Sequence, residues 1–246
     1  MGASAPRAVA WSTLPGVTVS DLKDIGRRLG GASVNDILFS ALSGALRAHL
    51  RGLPAEEQPR EDPTAAIWVS CAPLKHIYSS FAEVPLTWGN VSLGVVYLPL
   101  PAGSRCSDMS SQAALKTLQQ RVGDPALLLE AQIAHHLQGM IGTLPPRCGG
   151  LIWGAVADKV TLSMSNVPGP QFPLRWCGAP VRGMLFLVPP TGTISLFVTV
   201  ATWNGDVNVG MAMDGALIDQ GELGEIAGPL FEEQILSLRR LVEKTT

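Results

Sequence analysis

The strongest pattern in the sequence is a helical repeat of apolar residues near its start. Residues 34–50 place valine, isoleucine, leucine and alanine at steps of three and four, the period of an α-helix. Most other positions in this stretch are also small or apolar, for example Phe39 and Ala48. A helix that is apolar on nearly every face is typical of a domain interior. The pattern therefore predicts a buried central helix whose charged end, from Arg47 to Arg51, reaches water.

The polar residues at the start of this helix allow two interpretations. Ser33 is a suitable N-cap, and Asp36 three residues later completes a capping-box pattern with Asp in place of Glu or Gln. Such a cap contributes about 1 kcal/mol to helix stability. Alternatively, Asn35 and Asp36 brace an active site at the mouth of a buried helix. Spacing alone favours the cap and leaves the second role open.

The rest of the chain mixes helical and strand patterns. Helical periods predict further helices at residues 20–29, 107–121, 125–141, 151–156 and 229–244. Runs rich in β-branched and apolar residues predict strands at 7–11, 65–73, 91–100, 160–165, 174–177, 184–188, 193–202 and 207–213, with turns at 14–16 and at Asn204-Gly205. Because helices and strands do not alternate strictly, we expect an α/β (α+β) fold in which a mixed β-sheet packs against helices.

The composition is apolar for a globular chain of 246 residues. Hydrophobic residues make up 46% and charged residues 15%, against about 25% charged in typical domains. The mean hydropathy is +0.24, which indicates large buried faces or an apolar surface that another domain covers. The net charge of −2 and the scattered basic residues predict no nucleic-acid partner.

Cysteine usage and terminal sequence indicate a cytoplasmic protein. Cys71, Cys106, Cys148 and Cys177 stand far apart without metal-ligand spacing, so we expect reduced, buried thiols and no metal site. The first ten residues lack the apolar segment of a signal peptide. The longest uncharged run, 183–205, is broken by proline, glycine and β-branched residues and does not predict a membrane helix.

Three polar motifs follow one another along the chain. They are Ser33-Val34-Asn35-Asp36, Gly89-Asn90-Val91 and Ser165-Asn166-Val167-Pro168-Gly169-Pro170. In this order the chain resembles, over nearly its whole length, the C-terminal domain of the wax ester synthase/diacylglycerol acyltransferase family. The resemblance implies one half of a chloramphenicol-acetyltransferase-like fold. In that family two such domains pack face to face, and a tunnel between them holds the acyl-CoA and the alcohol.

The resemblance also implies an acyl transfer in which a histidine accepts the alcohol proton during attack on the thioester. That histidine belongs to an HHxxxDG motif of the N-terminal domain in the family. We therefore expect residues 1–246 to be a single C-terminal acyltransferase domain, with 1–18 as lead-in strand and linker. The histidine would come from the N-terminal domain, in cis or in trans, and the chain alone would be inactive.

The implied reaction is esterification of a long-chain alcohol or of diacylglycerol, giving wax esters or triacylglycerol. It needs no cofactor, since acyl-CoA is a substrate. The lipid substrates imply a cytoplasmic protein that can also sit peripherally at the endoplasmic reticulum, the plasma membrane or a lipid droplet.

The pair His135-His136 is the obvious internal candidate for a base. At the Asp and Gly positions of the family motif, however, stand Met140 and Ile141. Adjacent residues on a helix also point about 100° apart, so both imidazoles cannot easily serve one substrate. We predict that both histidines are structural. The alternative is a diverged enzyme in which His135 is the base.

The remaining site residues carry over by motif. Asn35 and Asp36 match the Asn-Asp motif near the catalytic histidines, which makes a combined role as cap and brace plausible. Ser165, Asn166 and Gly169 either form a rigid turn, in which Gly169 permits a positive φ, or line the substrate and CoA tunnel. In the tunnel, the Ser165 hydroxyl and the Asn166 amide would donate to the oxyanion or to CoA.

Further positions are assigned less directly. Asn90 either belongs to a strand-entry turn or lines the acyl channel. We expect the tryptophans at the core or at a domain interface, namely Trp88, Trp153, Trp176 and Trp203. A function of a different class also stays open, a non-catalytic module that binds lipid or acyl-CoA on the same scaffold.

Overall fold

A six-stranded mixed sheet runs through the computed structural model, which describes residues 7–70, 93–106, 109–122, 125–190 and 192–244. The strands are β1 (Arg7–Thr18), β2 (Thr64–Ser70), β3 (Leu93–Pro99), β4 (Leu162–Pro168), β5 (Arg175–Trp176), β6 (Ala179–Pro180), β7 (Leu196–Trp203) and β8 (Asp206–Asp214). Strands β5 and β6 form a separate two-stranded ribbon.

Seven helices accompany the strands in the described part of the chain. They are α1 (Val19–Arg28), α2 (Val34–Arg51), α3 (Ser111–Val122), α4 (Pro125–Gly142), α5 (Pro146–Ala157), α6 (Gln220–Glu225) and α7 (Phe231–Lys244). A 3-10 turn (Ser104–Cys106) precedes α3, and a π-helical turn (Ile226–Leu230) joins α6 to α7.

The strand order in the main sheet is β1-β8-β7-β4-β2-β3. Strand β4 lies at the centre and runs parallel to both β2 and β7, whereas the other neighbours are antiparallel. This arrangement confirms the expected mixed sheet packed against helices. It also places the carboxyl ends of three parallel strands at one edge, a common location for ligand sites.

The central helix α2 is buried as its pattern predicts. Its residues from Asp36 to Arg47 are all buried, and it packs against α3 and α7. The expectation that Arg47 reaches water is wrong, because its side chain is only 5% exposed. Its Nη1 instead donates to the carbonyl oxygen of Pro101 at 2.6 Å, so a loop carbonyl takes the place of solvent.

Strand β1 is longer than its sequence pattern indicates. The expected turn at 14–16 lies inside the strand, where the pairing with β8 shifts register between Thr13 and Thr18. Leu14 and Val17 are both buried in this irregular stretch, which explains why the chain stays on the sheet. Residues 7–18, the described part of the expected lead-in strand and linker, form this one edge strand. Helix α1 is capped by Thr18 instead of Ser20.

Two further segments differ from the expectation. Residues 184–188 form no strand, although their composition is apolar. The Thr199 hydroxyl on β7 donates to the backbone carbonyl oxygen of Phe186 at 2.6 Å, so a side chain of the sheet binds this segment, which does not add a strand. Helix α6, with Asp219 as its N-cap, was not predicted because six residues are too short to show a period.

The cysteines are more exposed than expected. Cys148 and Cys177 are exposed and Cys106 is half-buried, all three as free thiols, while Cys71 lies outside the described residues. Burial raises the pKa of the Cys106 thiol, and the neighbouring Asp62 carboxylate raises it further. The Cys106 Sγ lies 4.0 Å from Asp62 Oδ2.

We expect Cys148 and Cys177 to react with a disulfide reagent about tenfold faster than Cys106, because the thiolate is the reactive form and access is needed. Mass spectrometry of the labelled peptides over time measures the three rates. The control Asp62→Asn removes the repelling carboxylate and should speed labelling of Cys106 alone. Faster labelling of Cys106 than of Cys148 in the unmodified chain would contradict this assignment.

None of the helices in the described part of the chain has both the length and the apolar composition needed to cross a bilayer.

Candidate functional site

The N-terminus of α2 meets the carboxyl end of β4, and this contact joins two of the three motifs. Asn166 Nδ2 donates to Asn35 Oδ1 at 2.7 Å, across 131 positions of sequence. The contact lies at the edge of the sheet where the parallel strands end. Two polar segments that the sequence presents separately therefore form one cluster.

The capping box at this helix end is present as the sequence predicts. Asp36 Oδ2 accepts hydrogen bonds from the Ser33 amide at 2.7 Å and from the Ser33 hydroxyl at 2.8 Å. In return, the Asp36 amide donates to Ser33 Oγ at 3.2 Å. A carboxylate in the first turn also interacts favourably with the helix dipole. The cap interpretation of Asp36 is therefore confirmed.

The cap uses only one of the two carboxylate oxygens. Asp36 is 7% exposed, and its Oδ1 is buried without a hydrogen-bond donor among the described residues. The Oδ1 of Asn166 is in the same condition. Buried polar atoms without partners are rare, and they call for an explanation such as a catalytic or binding role. The two acceptors mark this edge as the candidate site, and the bracing role of Asp36 stays a prediction.

Ser165 lies on the other face of the sheet. Successive residues of a strand point to opposite faces of the sheet. Leu162 and Met164 of β4 lie on the face that packs against α2, because all belong to the main core. Ser165 is instead level with Thr199 of β7 in the parallel register. The structure thus brings Asn166, but not Ser165, to Asn35. A role of Ser165 as an oxyanion or CoA donor stays a prediction.

Gly169 is required for close approach and not for a positive φ. The expectation of a left-handed turn is wrong, because Gly169 is absent from the described residues with positive φ. A Cβ here would lie well inside 3.0 Å of the Thr202 carbonyl oxygen on β7. The Gly169 amide donates to Thr202 Oγ1 at 3.2 Å. The backbone of the motif therefore presses directly against the neighbouring strand.

Gln171 secures the same turn and was not singled out in the sequence. Its Nε2 donates to the Gly169 carbonyl at 2.7 Å and to Thr202 Oγ1 at 3.0 Å. Its Oε1 accepts from the Gly205 amide at 3.1 Å, in the tight turn between β7 and β8. A single glutamine after Pro-Gly-Pro has no periodic signal, so only the tertiary structure reveals this bridge.

The two histidines lie on α4, at a different part of the sheet. His136 is exposed and His135 half-buried, and their ring centroids are 5.4 Å apart. Helix α4 packs on β3, which β2 separates from β4 and Asn166. The structural role of both histidines stays a prediction.

The remaining candidates are Asn90 and the four tryptophans. Asn90 and Trp88 lie outside the described residues. Trp203 is buried at 2% exposure, whereas Trp153 and Trp176 are exposed at 39% and 77% and do not belong to the core. Within the described part of the chain, no cluster of three or more His, Cys, Asp or Glu side chains could hold a metal ion.

Solved structures share this fold. The wax ester synthase/diacylglycerol acyltransferase from Marinobacter aquaeolei VT8 matches with a TM-score of 0.56 at 20% identity, over 96% of this chain and 49% of that chain. The trichothecene 15-O-acetyltransferase from Fusarium sporotrichioides matches with a TM-score of 0.54 at 13% identity, over 96% and 47%. The epimerization domain of the third module of tyrocidine synthetase B matches with a TM-score of 0.55 at 10% identity, over 99% and 51%.

At these low sequence identities, the structural matches show a shared fold alone. The chain spans about half the length of each of the three proteins. A family model, described as the WS/DGAT C-terminal domain, matches residues 88–229. This range is more than half of the 246 residues and includes Asn166 and Gly169. The chain therefore belongs to the WS/DGAT C-terminal domain family, that of the wax ester synthase/diacylglycerol acyltransferases.

Proposed function

We propose that this chain is the C-terminal domain of an acyl-CoA-dependent O-acyltransferase that esterifies a long-chain alcohol or diacylglycerol. The observation that carries the proposal is the cluster of Asn35, Asp36 and Asn166, with two buried acceptors that lack donors among the described residues. Membership in the family supports the reaction class. Wax esters or triacylglycerol are the proposed products.

The catalytic base in this proposal is a histidine of an HHxxxDG motif on a partner domain, in cis or in trans. It accepts the alcohol proton while the alcohol oxygen attacks the thioester carbonyl. Collapse of the tetrahedral intermediate breaks the C–S bond, and the CoA thiolate takes the proton back from the imidazolium. Asp36 Oδ1 accepts a hydrogen bond from the partner domain and so holds the helix end against the reacting groups.

Exposed apolar side chains support a covering domain. The segment after the Ser165–Pro170 motif exposes Phe172 at 59%, Trp176 at 77% and Met184 at 40%. Large apolar side chains concentrated in one exposed segment are typical of interaction surfaces. We propose that the histidine-bearing domain packs on this segment and closes the substrate tunnel.

The test compares the purified chain with the chain combined with an HHxxxDG-bearing N-terminal domain. We expect no transfer from palmitoyl-CoA to hexadecanol or dioleoylglycerol by the chain alone, and ester formation by the combination. As a control, the double variant of His135→Ala and His136→Ala should keep the turnover of the combination within about twofold. Ester formation by the chain alone, lost in that double variant, would contradict the proposed division of roles.

A titration of the isolated chain with palmitoyl-CoA tests the non-catalytic alternative. If the chain alone binds palmitoyl-CoA tightly and no combination forms ester, the module interpretation replaces the proposed function.

A further inference from the structure

Four basic side chains line a cavity between α2, the start of α3 and α7. The cavity has a volume of about 380 Å³, and Arg47, Arg51, Arg240 and Lys244 lie in its wall. No aspartate or glutamate is among the described residues of that wall. We call this cavity the basic pocket.

The spacing of these residues explains why their charges converge. Arg47 and Arg51 are four residues apart on α2, and Arg240 and Lys244 are four apart on α7, so each pair lies on one helix face. Helices α2 and α7 pack against each other. Arg240 also forms an ion pair with Glu233, in which both side chains are about half exposed. Basic side chains therefore predominate in the wall of the pocket.

Arg47 provides a fixed charge at the base of the pocket. Its guanidinium is buried and held by the Pro101 carbonyl at 2.6 Å and by Ser43 Oγ at 3.5 Å. Burial lowers the pKa of Arg47, and the charge of Arg51 lowers it further. The Asp62 carboxylate opposes this shift and so offsets part of the repulsion between Arg47 and Arg51. A bound anion would relieve the rest of that repulsion.

Neutral donors complete the wall. Ser237 Oγ lies 3.0 Å from Ser111 Oγ, which donates to Gln234 Oε1 at 2.9 Å. Gln234 lies directly over Gly44 of α2, where a Cβ would collide with it. Ser237 Oγ also lies 2.8 Å from the Gln234 carbonyl oxygen. Each serine hydroxyl has a single hydrogen, so donation to a bound oxyanion would replace one of these hydrogen bonds.

We infer that the basic pocket binds a phosphate group, carried either by a soluble phosphate ester or by a phospholipid headgroup. Arginine forks match the tetrahedral, multiply charged oxygens of phosphate, and the hydroxyls add directional donors. Asn35 and Arg51 are 16 residues apart on α2, a distance of about 24 Å along the helix. The site is therefore separate from the acyl-transfer cluster and does not depend on the proposed function.

The test measures binding of inorganic phosphate by titration calorimetry at low ionic strength, and sedimentation with phosphatidylcholine vesicles that contain or lack phosphatidic acid. The double variant of Arg240→Gln and Lys244→Gln should lower the affinity at least about tenfold, which is a loss of about 1.4 kcal/mol. Glutamine keeps the helix, because it is a good helix former. The double variant of Arg27→Gln and Lys159→Gln removes the same charge from exposed positions outside the pocket and should bind normally.

Each outcome decides the inference. Phosphate binding that the pocket variant loses and the control keeps supports a soluble phosphate ester. Binding only to vesicles with phosphatidic acid, lost in the pocket variant, supports a phospholipid headgroup. Absence of both kinds of binding, or equal loss in the pocket and control variants, overturns the inference.

Discussion

Replacement of Asp36 by alanine is expected to lower the turnover of the assembled acyltransferase about a hundredfold, a loss of about 2.7 kcal/mol in transition-state stabilisation. The same substitution should lower the free energy of unfolding of the isolated chain by only about 1 kcal/mol, the usual cost of a lost cap. The contrast follows from the two carboxylate oxygens of Asp36, since only Oδ2 takes part in the cap.

The second oxygen is the basis for the large effect on activity. Asp36 Oδ1 is buried without a donor among the described residues, so its loss removes no hydrogen bond seen in the chain alone. In the proposed assembly, this oxygen accepts a donor from the histidine-bearing domain. Alanine then removes both a charge and a hydrogen bond at the end of α2 where Asn35 and Asn166 meet.

Ser33→Ala is the matched control, because it removes the hydroxyl of the same capping box and leaves the carboxylate. It should cost about 1 kcal/mol of stability and keep nearly full turnover. Urea unfolding of the isolated chain and kcat and KM of the assembly, with palmitoyl-CoA and hexadecanol, measure the two effects. Equal losses of activity in both variants would show that Asp36 acts only as a helix cap.

Local rules predicted the elements whose causes are local. The period of 34–50 identified the buried α2, and the Ser33–Asp36 spacing identified its cap. The Asn204-Gly205 pair identified the hairpin between β7 and β8, and both residues have the positive φ that this turn needs, 46° and 93°. In each case a short stretch of sequence contains the whole physical reason for the structure.

Prediction failed where a distant segment decides the outcome. Residues 184–188 have the composition of a strand, but their backbone pairs with no strand of the main sheet. Leu185 and Leu187 instead lie over Gly210 of β8, where a Cβ would meet both side chains. Arg47 was expected in water because its charge was weighed without the Pro101 carbonyl that binds it.

The candidate site was predictable only in pieces. The motifs named Asn35 and Asn166, yet no spacing rule relates residues 131 positions apart. Strand alternation could have placed Ser165 and Asn166 on opposite faces, had the strand been extended as far as Pro168. The i, i+4 pairs of the basic pocket were also readable, but the packing of α2 on α7 that unites them was not.

Gly169→Ala is expected to destabilise the chain by about 2–4 kcal/mol, because the added methyl group would overlap the Thr202 carbonyl oxygen. The backbone has little freedom to move away. Pro168 and Pro170 flank the glycine, and the Pro170 carbonyl accepts from the Asn204 amide at 3.0 Å. Urea unfolding followed by circular dichroism gives the free energy of unfolding.

The matched control for that substitution is Gly139→Ala in α4, where an added Cβ meets nothing within 4 Å. Alanine is the better helix former, so this variant should gain up to about 1 kcal/mol. Gly169→Asn separates the two explanations of the glycine, since asparagine tolerates positive φ but still carries a Cβ. If the asparagine variant were as stable as the unmodified chain, a backbone conformation and not the close approach to Thr202 would be the reason for Gly169.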